Sequence, residues 1–234
     1  DALPIFAAKI FNDYIKKANK ARAFLSYQDL AKSYIAEKDE TGNPNLYNYF
    51  IDTLLADYVF TGPNFNGQTI REKWLDIQTG LDIGDARYGD FWQAEQDIPK
   101  YIADLIEQLR IILPTANQYL RDFFKNEIQI DTKELTINRK AVWGNGYARK
   151  KVLKLNIFLY GDPNPIENYH LFLNEARLSA IAICLYLAAI KRSPQPDDYK
   201  IIFLDDVFIG LDTSNRIPLL ELIKAEFPQH QVFI

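Results

Sequence analysis

Hydrophobic positions recur with two different periods along this chain, and the period changes near residue 126. Before that point, apolar residues recur at helical spacing, first within residues 1–60 and again from 98 to 113. After it, the stretches EIQIDT, ELTIN and KVLKLNIFLY alternate with a period of two, which predicts β-strands. The pattern predicts a mainly helical first part and a mixed second part.

Several helices can be assigned within the first part. A second apolar set in residues 1–60, namely Phe24, Leu25, Leu30, Tyr34 and Ile35, is read as helical. Residues 98–113 predict an amphipathic helix that Pro114 stops or kinks, and a shorter helix is expected to follow around Tyr119. Loops are predicted at 39–45 and 61–67, where glycine, proline and asparagine cluster.

The last third of the chain has the order helix, strand, helix, strand. Residues 175–191 are apolar on almost every side, which is typical of a helix buried in a core. A strand at 200–204, a helix at about 214–226 and an apolar stretch at 231–234 follow. This order predicts an α/β fold with a parallel sheet.

Composition narrows the class of protein. Hydrophobic residues make up 48% of the 234 positions and charged residues 25%, as in globular proteins, and the formal net charge is −4. A global basic field that would attract nucleic acid is therefore absent. The single cysteine, Cys184, is predicted to be a core residue, and a reducing, cytoplasmic location is expected. No apolar run reaches the length of a membrane span.

Two adjacent carboxylates follow the strand at 200–204, in the sequence IIFLDDVFIGLD. Ligands bind at the carboxyl ends of strands in parallel α/β sheets, which is where Asp205 and Asp206 are expected. Neighbouring carboxylates repel one another, and a divalent cation such as Mg²⁺ relieves that repulsion. The alternative is a solvated strand end with two surface aspartates.

The same stretch resembles the Walker B segment and D-loop of ABC-type ATPases, in particular the RecF/SMC branch. The resemblance implies that Asp205 binds Mg²⁺ and that Asp206 is the catalytic carboxylate. It implies that Asp212, in the Gly-Leu-Asp that follows, lies at a dimer interface. ATP and Mg²⁺ are the ligands expected from this family.

An upstream stretch, LFLNEARLSAIAICLYLAA, resembles the signature motif and following helix of SMC-like proteins in a degenerate form. Glu175 aligns with the motif's glutamate, whereas Phe172 replaces its serine and Leu173-Asn174 replaces its two glycines. Asn174 is a good helix N-cap, and a helix N-terminus can hold an anion. Asn174 therefore either helps to bind nucleotide from an opposing subunit or only caps a core helix.

The resemblance covers residues 98–234 and implies the C-terminal lobe of such an ATPase, with 1–97 as a mainly helical insertion or coiled-coil-proximal region. The phosphate-binding pattern G-x-x-x-x-G-K-[ST] does not occur in the sequence. Hydrolysis would then need an N-terminal P-loop lobe from the same or another chain, and a homodimer partner. DNA is the expected target, in repair or in anti-phage defence, since the stretches at 17–30 and 46–58 resemble those of defence-island ATPases.

Two other functions stay open from the sequence. Asp205, Asp206 and Asp212 could form the metal cluster of a nuclease or phosphatase. The chain could instead be a helical protein-interaction module on a degenerate ATPase. The basic run Arg149–Lys151 could touch DNA phosphates or be a solvated face, and His170 could approach a nucleotide or be a loop histidine.

Overall fold

The computed structural model describes residues 22–35, 42–43, 46, 54–82, 89–141, 149–192 and 200–234, which form an α/β structure. The strands are β1 (Arg22–Ser26), β2 (Ile128–Ala141), β3 (Arg149–Leu159), β4 (Ile201–Asp205) and β5 (Gln231–Phe233). The helices are α1 (Tyr27–Ile35), α2 (Ile70–Asp82), α3 (Gly89–Asp122), α4 (Tyr169–Phe172), α5 (Glu175–Arg192) and α6 (Thr213–Glu226), with a 3-10 helix at Val207–Gly210.

A three-stranded parallel sheet has the order β1-β4-β5, so β4 is its central strand. Leu25 of β1 is in register with Leu204, and Ile202 is in register with Val232 of β5. Leu25, Ile202 and Leu204 are at most 1% exposed, so this face of the sheet packs into the core. The predicted parallel α/β unit is confirmed.

The strands β2 and β3 form a separate antiparallel pair, with Ile128 opposite Leu159 and Ala141 opposite Arg149. The register shifts between Asp131 and Thr136, as expected of a β-bulge. Both strands were predicted from the period-two pattern. The turn predicted between them, at 142–148, lies outside the described residues, and the basic run Arg149–Lys151 forms the start of β3.

Helix α5 is the most deeply buried element of the described structure. Every residue from 178 to 190 is buried, including Cys184, whose thiol is fully inaccessible. This helix packs against α3, and it also contacts α1, the 3-10 helix and α6. The prediction of a core helix at 175–191 is therefore confirmed, as is the prediction that Cys184 is a core residue.

The helical interpretation of residues 22–26 is wrong. Phe24 and Leu25 lie on β1, and helical structure begins only at Tyr27. The apolar set around them has helical spacing, but the pairing of β1 with β4 supplies backbone hydrogen bonds that local spacing does not reveal. The helix predicted within 1–21 and the part 47–53 of the helix predicted at 47–58 lie outside the described residues.

Pro114 does not end the long helix. Helix α3 runs without interruption from Gly89 to Asp122 and contains both Pro99 and Pro114. Proline removes one backbone donor and leaves the carbonyl four residues earlier unpaired. Pro114 and Arg110 are both exposed, so that carbonyl lies on the side of the helix that faces water, where it can be hydrated.

The predicted boundary between residues 97 and 98 falls inside α3. Strand β1, from the first predicted region, pairs with β4, from the second, and the described parts of both regions share one hydrophobic core. The parallel sheet is thus built from both regions. Within the described part of the chain, no helix is both long and apolar enough to cross a membrane.

Candidate functional site

Asp205 and Asp206 lie at the carboxyl end of the central parallel strand, as the sequence predicts. Asp205 is the last residue of β4, and both side chains are exposed. Asp206 adopts a left-handed backbone conformation, with φ 54° and ψ 19°, and starts the 3-10 helix. Its carbonyl accepts a hydrogen bond from the N–H of Ile209 at 2.9 Å. The chain therefore turns sharply away from the sheet while both carboxylates stay at its edge.

Neither carboxylate has a partner within the described structure. No hydrogen bond or ion pair joins the side-chain carboxylate of Asp205 or Asp206 to another described residue. Two adjacent like charges without a compensating cation raise the energy of the folded state. Mg²⁺ is typically held by one or two carboxylates together with phosphate oxygens and water, and this pair fits that donor set.

Asp212 does not join the two carboxylates. It is the N-cap of α6, where its Oδ1 accepts hydrogen bonds from the N–H of Asn215 at 3.0 Å and the hydroxyl of Ser214 at 2.9 Å. Among the described residues, no three His, Cys, Asp or Glu side chains are grouped so that they could hold a metal ion. The three-aspartate metal cluster of a nuclease or phosphatase is therefore not formed.

Asn174 caps α5, as its residue type predicts. Its Oδ1 accepts a hydrogen bond from the N–H of Arg177 at 3.0 Å, and its carbonyl accepts one from the N–H of Leu178 at 3.1 Å. Glu175 is the first residue of the helix and is exposed. Capping is thus a definite role of Asn174, and it places Glu175 in the first turn, where a negative side chain is favourable.

The segment before α5 presents large side chains where the signature motif would present small ones. Phe172 is 40% exposed, and the guanidinium of Arg177 lies 4.9 Å from the centre of its ring. Arg177 also donates a hydrogen bond to the carbonyl of Phe172 at 3.2 Å. A cation, rather than a serine hydroxyl, therefore stands beside the start of this helix.

Gly210 brings three elements together next to the carboxylates. A Cβ added at Gly210 would lie 3.3 Å from the ring of Tyr27, at the start of α1, and 3.3 Å from Oγ of Ser179, in the second turn of α5. Helix α6 begins three residues later. Tyr27 at the start of α1 and Ser179 near the start of α5 therefore lie against the loop between Asp206 and α6. The partial positive charge of a helix N-terminus favours an anion.

Ser26 and Tyr27 were not identified from the sequence, although they lie beside the site. Ser26 is in register with Asp205 across the β1–β4 pair. Its hydroxyl accepts the N–H of Asp29, while Asp29 Oδ2 accepts from the hydroxyl and N–H of Ser26. This Ser-x-x-Asp capping box is a sequence signal for a helix start at residue 27, and it could have separated β1 from α1.

His230 lies before β5, at the opposite end of the sheet from the carboxylates. Its ring packs edge-on against Phe227 at a centroid distance of 5.1 Å. Burial lowers the pKa of His230, and the nearby ammonium groups of Lys200 and Lys191 lower it further. This histidine is therefore remote from the candidate metal site, as expected from its position before the strand.

Comparisons with known proteins give no family for this chain. No protein-family model matches it, and no curated protein matches it at a significant level. The functional conclusion for this α/β protein therefore depends on the residues at the carboxyl end of β4 and on the motifs that the sequence resembles.

Proposed function

We propose that this chain is the C-terminal lobe of an SMC/RecF-like ABC-type ATPase, which binds and hydrolyses ATP in a nucleotide-sandwiched dimer that engages DNA. The observation that supports this most strongly is the position of Asp205 and Asp206. They are adjacent, exposed and without a described partner at the carboxyl end of the central parallel strand. Genome maintenance and anti-phage defence are the processes that such an ATPase would serve.

Each carboxylate has a distinct role in this proposal. Asp205 would hold Mg²⁺, and the ion would supply positive charge that neutralises the phosphate groups. Asp206 orients the attacking water and accepts its proton as general base. Asp206 follows the strand in a left-handed backbone conformation, whereas Asp205 is the last residue of the strand, so we assign different ligands to the two carboxylates.

The remaining predicted residues lie on the surface that would face a second subunit. Helix α5 would present its capped N-terminus, with Asn174, Glu175 and Arg177, and α6 would present its cap, Asp212. Because Phe172 stands in place of the signature serine, we assign the contact to the opposing nucleotide to the helix N-terminus and Arg177. An N-terminal P-loop lobe supplies the phosphate-binding loop.

The first test uses this chain alone. Mn²⁺ can replace Mg²⁺ at carboxylate sites, and it broadens the NMR signals of nearby nuclei. We expect Mn²⁺ to broaden the amide signals of residues 204–208 selectively, and Asp205→Asn to abolish this effect. Asp57→Asn is a matched control, because Asp57 is exposed and has no partner among the described residues. Uniform broadening over the surface carboxylates would exclude a metal site here.

The second test measures ATP hydrolysis after the chain is combined with the P-loop lobe of its parent protein. The chain alone is expected to show negligible turnover, and the combined protein is expected to show Mg²⁺-dependent turnover. Asp206→Asn should lower turnover by roughly 100-fold or more, as expected for loss of a general base. Metal-dependent DNA cleavage without nucleotide, or turnover unaffected by Asp206→Asn, would contradict the proposal.

A further inference from the structure

The antiparallel pair of β2 and β3 divides into two parts at its register shift. Before the shift, Ile128 and Ile130 of β2 and Ile157 of β3 are at most 3% exposed, so this part belongs to the core. Asn117 of α3 pairs with the backbone of Ile130, accepting its N–H and donating to its carbonyl, both at 2.9 Å. The base of the strand pair is therefore held by the long helix.

Beyond the register shift, the strand pair is strongly basic. Residues 136–141 and 149–154 form the basic arm, which contains six basic residues and no acidic one. These six are Arg139, Lys140, Arg149, Lys150, Lys151 and Lys154. The whole chain has a net charge of −4, so the basic arm, at +6, leaves −10 for all the other residues. Positive charge is therefore concentrated in one element of an acidic protein.

The strand register places like charges directly opposite one another in the basic arm. Arg139 is paired with Lys151, and Lys140 is paired with Lys150. Directly opposed like charges destabilise an antiparallel strand pair. This arrangement lowers the stability of the free protein, and a polyanion that binds to the arm relieves the repulsion. The charge pattern therefore indicates an anionic partner.

The register also distributes the basic residues over both faces of the arm. Neighbours along a strand alternate between faces, and directly paired residues share a face. Arg139, Arg149 and Lys151 therefore share one face, and Lys140, Lys150 and Lys154 share the other. A flat anionic surface, such as a membrane, meets only one face of a strand pair. A groove between two phosphate strands meets both faces, so the pattern favours a nucleic-acid duplex.

We propose that the basic arm is the DNA-contacting element of this protein and lies in the major groove of double-stranded DNA. That groove is about 12 Å wide and admits a two-stranded β-ribbon. The basic residues bind phosphates on both sides of the groove, so the affinity depends on salt and not on base sequence. The choice of DNA rests on the proposed function, whereas the charge pattern is independent of Asp205 and Asp206.

DNA binding is measured on this chain without nucleotide. Fluorescence anisotropy with a labelled duplex of about 20 base pairs gives the affinity at salt concentrations of about 50 to 200 mM. With six phosphate contacts, the logarithm of the binding constant should fall with the logarithm of salt concentration with a slope of about −5. A duplex of different sequence should bind equally well, and the single strand should bind more weakly. Absence of duplex binding at about 50 mM salt, or equal binding of the single strand, would overturn the proposal.

Two double variants each remove one opposed pair. Arg139→Gln with Lys151→Gln, and Lys140→Gln with Lys150→Gln, should each weaken duplex binding roughly 10- to 100-fold. Each should also make the salt slope shallower by about 2, because two phosphate contacts are lost. If only one of the two pairs affects binding, a single face meets the DNA and the groove arrangement is wrong.

The matched control is Arg110→Gln with Lys224→Gln, which removes the same charge from exposed positions on α3 and α6. It should change the affinity less than about 3-fold, since distant charges are screened by salt. The exchange Arg139→Lys with Lys151→Arg keeps the charge of the arm and should bind as the unaltered protein does. A control as damaging as the paired variants, or loss of binding in the exchange, would show that the charge of the arm is not the cause.

A membrane partner and the ATPase reaction are tested separately. Binding to vesicles of phosphatidylcholine and phosphatidylserine that is lost in both double variants, without duplex binding, would identify a membrane partner and overturn the proposal. Asp206→Asn should leave the DNA affinity unchanged. Asp206-dependent turnover in the completed protein, without DNA binding by the arm, would overturn this inference and leave the ATPase in place. DNA binding by the arm without such turnover would instead overturn the proposed function.

Discussion

Ser26 lies directly across from Asp205 in the parallel register of β1 and β4. The hydroxyl of Ser26 is engaged with Asp29 in the capping box of α1, so Ser26 contributes a helix start rather than a ligand. This edge of the sheet has two carboxylates, and a helix N-terminus follows the neighbouring strand. Such an edge is suited to a metal ion that is bound to phosphate groups. The pairing of Ser26 with Asp205 therefore places β1, the first described strand, beside the candidate metal site.

Asp206→Asn should stabilise the protein while it removes the proposed activity. Asparagine tolerates the left-handed conformation at least as well as aspartate, and the neutral amide ends the repulsion with Asp205. We expect the free energy of unfolding, measured with urea, to rise by about 0.5 kcal/mol. The control Asp57→Asn should change it by less. A loss of stability would mean that the Asp206 carboxylate has a favourable partner in the folded protein.

Gly210→Ala should disturb the loop between Asp206 and Asp212. The added methyl group would stand 3.3 Å from both Tyr27 and Ser179, which is closer than usual packing. We expect a destabilisation of about 1 kcal/mol by urea unfolding, and a larger cost for Gly210→Val. Amide shifts of Asp205 and Asp206 should report movement of the loop. If alanine is accepted with unchanged shifts, the close packing at Gly210 does not position the carboxylates.

Asp104 should be essential for the loop at 61–67. Its buried carboxylate accepts the N–H groups of Asn64 at 3.0 Å and Phe65 at 2.9 Å, and the side-chain amide of Asn64 at 2.7 Å. Asp104→Ala leaves these donors without a partner, so we expect a loss of roughly 2–4 kcal/mol in unfolding free energy.

The matched control is Glu107→Ala, an exposed carboxylate on the same helix, where a surface pair costs less than about 1 kcal/mol. Equal effects at the two positions would show that the loop does not depend on Asp104.

Acid should weaken the contact between α2 and α3 through Asp97. Burial by itself raises the pKa of Asp97, but hydrogen bonds from Lys73 and Gln93 outweigh it, so its pKa lies below the ordinary value of 3.8. A carboxyl group with a lowered folded-state pKa stabilises the protein above the unfolded-state pKa. This stabilisation is lost as the pH falls through the folded-state value.

We therefore expect Lys73→Met to raise the pKa of Asp97 in a carboxyl NMR titration. Lys73 Nζ donates to Asp97 Oδ2 at 2.6 Å. Asp97→Asn should make the loss of stability below pH 4 shallower than in the unaltered protein. Lys100→Met is the comparison, because that ammonium is more exposed and lies 3.4 Å from Asp97. An equal response to both lysine variants would show that the buried pair is not the cause.

The sequence predicted the elements whose pattern is local. The period-two stretches at 127–132, 134–138 and 151–160, the buried helix at 175–191 and the carboxylates after β4 were predicted from local sequence, and they fall on or beside β2, β3, α5 and β4. Strand β1 was missed, because Phe24 and Leu25 fit a helical spacing and only the distant β4 makes them a strand. The position of Pro114 within α3 likewise depends on which face of the helix is exposed, and residue spacing alone does not settle that.

The candidate site shows the same division. Asp205, Asp206 and the cap at Asn174 follow from local sequence, whereas the contacts of Gly210 with Tyr27 and Ser179 do not. The hydrogen bond from the N–H of His170 to Oδ1 of Asn43 joins residues 127 positions apart and has no local signal. Long-range contacts of this kind are specified by the packing of the whole core, which residue spacing does not encode.

The 34 residues of α3 make a rod roughly 50 Å long. It packs against α2, α5 and β2. Trimming the chain at residue 98 would therefore cut this rod partway along and uncover Tyr101 and Leu105, which are fully buried. Such a shortened polypeptide would also lose β1 from the sheet. Truncations meant to isolate Asp205 and Asp206 therefore need to keep both β1 and the whole of α3.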